Sequence, residues 1–162
     1  MPLIKAGAEA ENSWVHVSDD EDLPETGSIT LSLKRFLNDA SGLLLRNEGV
    51  GVRLAPDDDP TELEPWLDRI KLVEVDFPKY TDGRGYSHAQ LLRRRFGYAG
   101  ELRAVGHVLR DQILYMNRSG FDAFETSRAG LSEILEALEE YPAFYQPAAD
   151  NHKSVLRRRH ER

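Results

Sequence analysis

Between Leu72 and Phe124 the chain alternates short apolar runs with segments of helical period, and only a few residues separate one from the next. Lys71–Phe77 is rich in β-branched and aromatic residues, as a buried strand requires. Ser87–Phe96 places Ala89, Leu92 and Phe96 on one side of a helix and Arg93–Arg95 mostly outward. Glu101–Val105 is a second strand, Val108–Ser119 a helix with Leu109, Ile113 and Met116 inward, and Phe121–Glu125 a third strand. Strand-then-helix repeated over short connections specifies parallel pairing with right-handed crossovers. The predicted fold is therefore α/β, with repeated βα units forming a parallel, half-barrel-like sheet. The alternative is an open flavodoxin-like sheet, but no connection is long enough to mark a reversal of strand order. In both, the loops that follow the strands gather on one face, where such folds hold ligands.

The flanking sequence extends the pattern. Ser13–Ser18 alternates like a half-buried strand, and Ile29–Leu31 and Gly51–Ala55 read as further strands. Ser32 is placed to cap a helix from Leu33 that ends near Gly42. Asp59-Pro60-Thr61-Glu62 has the form of a helix start, and Pro65 inside that segment predicts a kink or a later start. Ser87-His88-Ala89-Gln90 matches a capping box, while Gly97 and Gly120 read as helix stops. A last helix over Leu131–Tyr141 turns Leu131, Ile134, Leu135 and Leu138 inward before Pro142. These elements suit one domain over residues 13–146, with a flexible N-terminus at 1–12 and a basic, disordered tail at 147–162 ending R-R-R-H-E-R.

Composition narrows the function. With no cysteine, the chain itself supplies no disulfide, dithiol centre, cysteine nucleophile or thiolate-held iron–sulfur cluster. The five histidines show no metal-ligand spacing, so neither metal nor cofactor is expected. A net charge of −7 argues against a general nucleic-acid binder. No apolar run approaches membrane-spanning length and no export signal is visible, so a cytoplasmic protein is expected. The run Asp19–Asp22 reads as a solvated acidic turn.

The sharpest local signal is Asp82-Gly83-Arg84-Gly85-Tyr86-Ser87, between a strand and a helix. Two glycines, a helix start and Arg84 suit a small anion held by Gly83, Arg84, Gly85, Tyr86 and Ser87, with Arg103 contributing from the next strand. The segment lacks the third glycine of the dinucleotide fingerprint, whose place His88 takes. The competing reading is structural: the glycines shape a turn and Arg84 pairs with Asp76 or Asp82. Asp76, at a strand end, and His107, after the next strand, are the catalytic candidates for moving a proton. Glu101 and Arg103 share strand parity, so they lie on one side of the sheet and must be paired there if buried, with each other or with Asp122.

The strings F-P-K-Y-T-D-G-R-G-Y-S, L-L-R-R-R-F-G-Y-A-G-E-L-R-A-V-G, V-L-R-D-Q and S-G-F-D-A-F resemble the hallmark segments of a bacterial family, DUF934. The likeness runs from Asp19 through Gln146 and excludes the tail. The resemblance implies a place in sulfur assimilation beside the sulfite reductase haemoprotein, and a label of oxidoreductase involved in sulfite reduction. It supplies no catalytic residue, and relatives carry Asp where this chain has His107. Since the chain holds no group that carries electrons, the expected role is an accessory protein that binds the reductase, a small oxyanion or both. The alternatives are an enzyme of sulfur metabolism using the Asp82–Ser87 face, and an interaction module without a ligand site. Open strand edges also predict a homodimer.

Overall fold

The computed structural model describes every residue except 1, 6, 128, 129, 142, 151, 161 and 162. Eight strands form one sheet: β1 (Leu3–Lys5), β2 (Ala8–Ala10), β3 (Trp14–His16), β4 (Ser28–Ser32), β5 (Val50–Leu54), β6 (Leu72–Phe77), β7 (Glu101–Gly106) and β8 (Ala123–Glu125). Their order is β2-β1-β8-β7-β6-β5-β4-β3. From β3 to β8 each strand lies parallel to its neighbour in sequence; β1 alone runs against its neighbours, β2 and β8. This is the curled, half-barrel sheet that the spacing favoured over the flavodoxin-like alternative.

The curl follows from chain length. β2 and β3 sit at opposite edges of the sheet, yet only residues 11–13 separate them. A fully extended link from Ala10 to Trp14 reaches ~14 Å, whereas seven flat interstrand spacings would cover ~34 Å. The two edges must therefore approach each other. Sequential right-handed crossovers put the helices on one face of such a sheet, leaving its concave face to be covered by its own curvature.

Alternation along the strands sorts the side chains accordingly. Ile29, Leu31, Val52, Leu54, Val73, Val75, Phe77, Leu102, Ala104 and Phe124 join the apolar core with helix residues Phe36, Leu63, Ala89, Leu92, Ile113, Met116, Ile134 and Ala137. The helices are α1 (Leu33–Asn38), α2 (Ala40–Leu43), α3 (Arg84–Gln90), α4 (Ile113–Ser119), α5 (Leu131–Glu139) and α6 (Val155–His160). Ser32 caps α1 as expected, accepting from the Arg35 amide. The helix breaks at Asp39, which then caps α2 through Gly42. Asp59-Pro60 opens a segment that stays a 3₁₀ helix over Pro60–Trp66, a narrower coil rather than a kinked α-helix. Gly97 and Gly120 stop their helices with φ of 66° and 116°, the left-handed conformation that favours glycine.

Three expectations need correction. Residues 1–12 are not a loose leader within their described part. Leu3 and Ile4 are buried, and β1 pairs with both β2 and β8, completing the sheet. β1 and β2 lack the apolar alternation that marks Ser13–Ser18, so the sequence concealed them. Second, α3 starts at Arg84, so Ser87 lies inside the helix and caps nothing; the helix continues into a wide turn over Leu91–Arg95. Third, Arg93 is not a solvated outward charge. It donates to the carbonyls of Gly120, Tyr98 and Gly100 and to Asp122, tying α3 to the starts of β7 and β8.

The segment expected as a disordered tail is held to the domain. The amides of Ala149 and Val155 donate to the carbonyls of Arg118 and Phe144, and Arg118 pairs with Asp150 and stacks 3.6 Å over the Phe144 ring. Residues 155–160 form α6. Pro142, the expected end of the last helix, and residues 161 and 162 of the basic string lie outside the described residues. Among the described residues, no helix is long and apolar enough to cross a membrane.

Candidate functional site

Two polar regions lie on the concave face. The register aligns Arg53, Glu74 and Arg103 on consecutive strands, alternating in charge across β5, β6 and β7. Arg103 is 1% exposed and Glu74 2% exposed, so both charges are buried and need partners. Arg103 donates through Nε and Nη2 to Glu101 at 2.8 and 2.6 Å, and through Nη1 to Asn12 at 3.0 Å. Its Nη1 also lies 3.4 Å from Glu125 and 3.5 Å from Glu74. Lys5 closes the set on Glu101 at 2.6 Å. The expected Glu101–Arg103 pairing is present, whereas Asp122 is taken by Arg93 and the Leu102 amide. Strand β1 thus supplies Lys5, and the link between β2 and β3 supplies Asn12, to a filled, charged lumen.

At the carboxyl ends of β3–β6 the lumen opens into a cleft of about 280 Å³ lined by His16, Ser32, Arg53 and Asp76, with Asp19 and Asp58 at its margin. In α/β sheets this end of the strands is where ligand sites are built. Arg53 gives only its Nε to Glu74, at 2.8 Å, and among the described residues its two Nη groups make no hydrogen bond. Asp19 accepts from Ser32 at 2.6 Å and Asp58 from the Ala55 amide at 2.7 Å, so both acids are already engaged. His16 Nδ1 lies 3.2 Å from Thr30 Oγ1.

Asp76 accepts no hydrogen bond among the described residues, and burial raises its pKa against the opposing pull of Arg53. Burial, aided by the Arg53 charge, lowers that of His16. A carboxyl and an imidazole with pKa values displaced towards each other share one cleft beside an arginine. That arrangement can bind an oxyanion and transfer a proton to or from it. Gly106, at φ 90°, lets β7 pass close to Asp76: a Cβ there would stand 2.8 Å from its Oδ1.

The Asp82–Ser87 segment has a different character. Arg84 is held by Asp82 at 2.6 Å and by Asp57, and Asp82 is correspondingly held down to about 2 by hydrogen bonds from Arg84. Gly85 is buried against the Phe77 ring, which a Cβ there would meet, and Tyr86 packs edge-on against that same ring. Gly83 precedes the helix without a side-chain cap, and Ser87 is exposed on α3. Arg103 lies in the lumen, so it shares no surface with Arg84. His107 is exposed where β7 ends, its amide donating to the Phe77 carbonyl at 2.7 Å; it neighbours Asp76 electrostatically but does not line the cleft.

Of the expected residues, Asp76 alone falls in the cleft. His16, Ser32 and Arg53 were missed. Arg53 did leave a trace, as the charge interrupting G-V-R-L-A. Among the described residues, no cluster of three or more His, Asp or Glu is arranged to hold a metal ion.

No curated protein matches the chain. The family model of bacterial proteins of unknown function, DUF934, matches residues 51–156, which include Arg53, Glu74, Asp76 and Arg103 but not His16. The chain belongs to that family.

Proposed function

We propose that this protein is an accessory factor of sulfite reduction that binds a small oxyanion at the mouth of its curled sheet and works beside the sulfite reductase haemoprotein. The observation that carries the ligand reading is Arg53, oriented by Glu74 through Nε and leaving a planar pair of Nη donors for the cleft. Such a fork matches two oxygens of one anion. The pathway rests on the family resemblance, and an accessory role accords with a chain that has no thiol to hold an electron-carrying cluster. The test is calorimetry and thermal shift with sulfite, sulfate and phosphate, followed by co-purification with the reductase. A ligand that binds the folded state raises its melting temperature. The expected result is a rise with sulfite that Arg53→Met abolishes. No response to any oxyanion ends the ligand reading, and no association with the reductase ends the accessory one.

A second reading is an enzyme acting on the same anion, favoured by the paired displacement of Asp76 and His16. Turnover of sulfite or a related anion by the protein alone, lost in Asp76→Asn with binding retained, would select it.

A further inference from the structure

At the opposite, amino-terminal end of the strands lies a second cleft of about 500 Å³, lined by Trp14, Arg46, Arg69 and Lys71. Its size falls within the range of small-molecule sites. Most arginines of the lumen and of α3 are paired with carboxylates, but none of these three cations makes an ion pair within 4.0 Å among the described residues. Glu48 and Asp68 line the same cleft and still do not neutralise them at that distance. Arg46 and Arg69 are instead anchored on backbone: Arg46 Nη2 donates to the Gly27 carbonyl at 3.3 Å and Arg69 Nη2 to the Leu44 carbonyl at 2.8 Å. Among the described residues, Arg46 Nε is buried and has no hydrogen-bond partner. A partly buried cation without a counter-charge is a cost that negative charge brought into the cleft offsets.

Trp14 gives the cleft an aromatic wall. Its indole packs directly on the backbone at Gly49, where a Cβ would come 2.6 Å from the ring. An aromatic face beside unpaired cations matches a ligand with a flat ring and an acidic group, because each part satisfies one half of the cleft.

We infer that this cleft is a second binding site, specific for a small molecule that carries both a planar ring and a phosphate or sulfate ester. It is separate from the cleft at the mouth and does not depend on the function proposed there.

The chain has two tryptophans, so Trp66→Phe leaves Trp14 as the only indole and a direct reporter. The full-length Trp66→Phe protein is titrated with adenosine monophosphate, adenosine and inorganic phosphate, reading indole fluorescence. The nucleotide is expected to change the signal saturably, with adenosine and phosphate each at least tenfold weaker. Adding Arg69→Gln and Lys71→Gln, both at exposed positions, is expected to weaken the nucleotide at least tenfold while the protein still melts in one cooperative transition. Arg53→Met is expected to leave the titration unchanged. No saturable response overturns the inference. So does adenosine or phosphate binding as tightly as the nucleotide, or a double variant that binds as before.

Discussion

Arg103 Nη1 lies 3.5 Å from Glu74 Oε1, while the other oxygen of Glu74 takes Arg53 Nε at 2.8 Å. One carboxylate therefore joins the buried lumen to the ligand cleft. Removing the Arg103 guanidinium leaves Glu74, Glu101 and Glu125 short of a shared counter-charge. Arg103→Met is expected to cost about 3–5 kcal/mol, the penalty of breaking a buried pair by deleting one partner. Urea denaturation measures it, and a loss below about 1 kcal/mol would show that the lumen is wetter than its geometry indicates.

Asn12, in the link between the two edge strands, ties that link to the same group. Its Oδ1 accepts from Arg103 at 3.0 Å and its Nδ2 donates to Glu125 at 3.0 Å. Asn12→Ala is expected to cost about 0.5–1.5 kcal/mol, the net worth of a hydrogen bond, because Arg103 Nη1 keeps Glu125 and Glu74 at 3.4 and 3.5 Å. Amide exchange is expected to quicken in β1 and β8 together, since both meet at this point.

The raised pKa of Asp76 fixes the sign of its pH dependence. The folded state holds this proton more tightly than the unfolded chain, so the group's contribution is most favourable at low pH and falls as pH rises through the folded value. Asp76→Asn is expected to raise the melting temperature at neutral pH, with the gain fading as pH drops towards the ordinary carboxylate range. A constant gain at every pH would assign the effect to packing instead.

His16 runs the other way on the acid side. Its lowered pKa means that the unfolded chain takes up a proton first, so stability is lost as pH falls below about 6.5, the ordinary histidine value, towards the folded value. His16→Gln is expected to flatten that part of the profile, as read by melting temperature across buffers from neutral to mildly acidic.

Gly85→Ala separates two accounts of the glycine-rich segment. Because the added methyl would press on Phe77, a loss of about 1–3 kcal/mol from overpacking is expected. The sulfite-linked thermal shift should survive in this variant, as it should in Arg84→Ala. Its disappearance in Arg84→Ala would restore the Asp82–Ser87 segment as the ligand site.

The legible parts of this fold were those governed by local rules. The capping of α1 by Ser32, the glycine stops at positions 97 and 120, and the shared face of Glu101 and Arg103 follow from neighbours a few residues away. The curl was favoured by the absence of a long connection. The cleft was not legible, because His16, Arg53 and Asp76 come from three strands, and only the register brings them together. Arg93 was misjudged for a related reason: its partners at Gly120 and Asp122 lie 27 and 29 residues ahead, beyond any helical period.

The pairing of β1 with β8 has a consequence for synthesis on the ribosome. The β1–β2 hairpin must wait for β8 before it can join the rest of the sheet, and until then Arg103 lacks two of its acceptors, Asn12 held in place and Glu125. The polar interior is completed only when nearly the whole chain has emerged, so the protein commits to its native form late, in a single closing event.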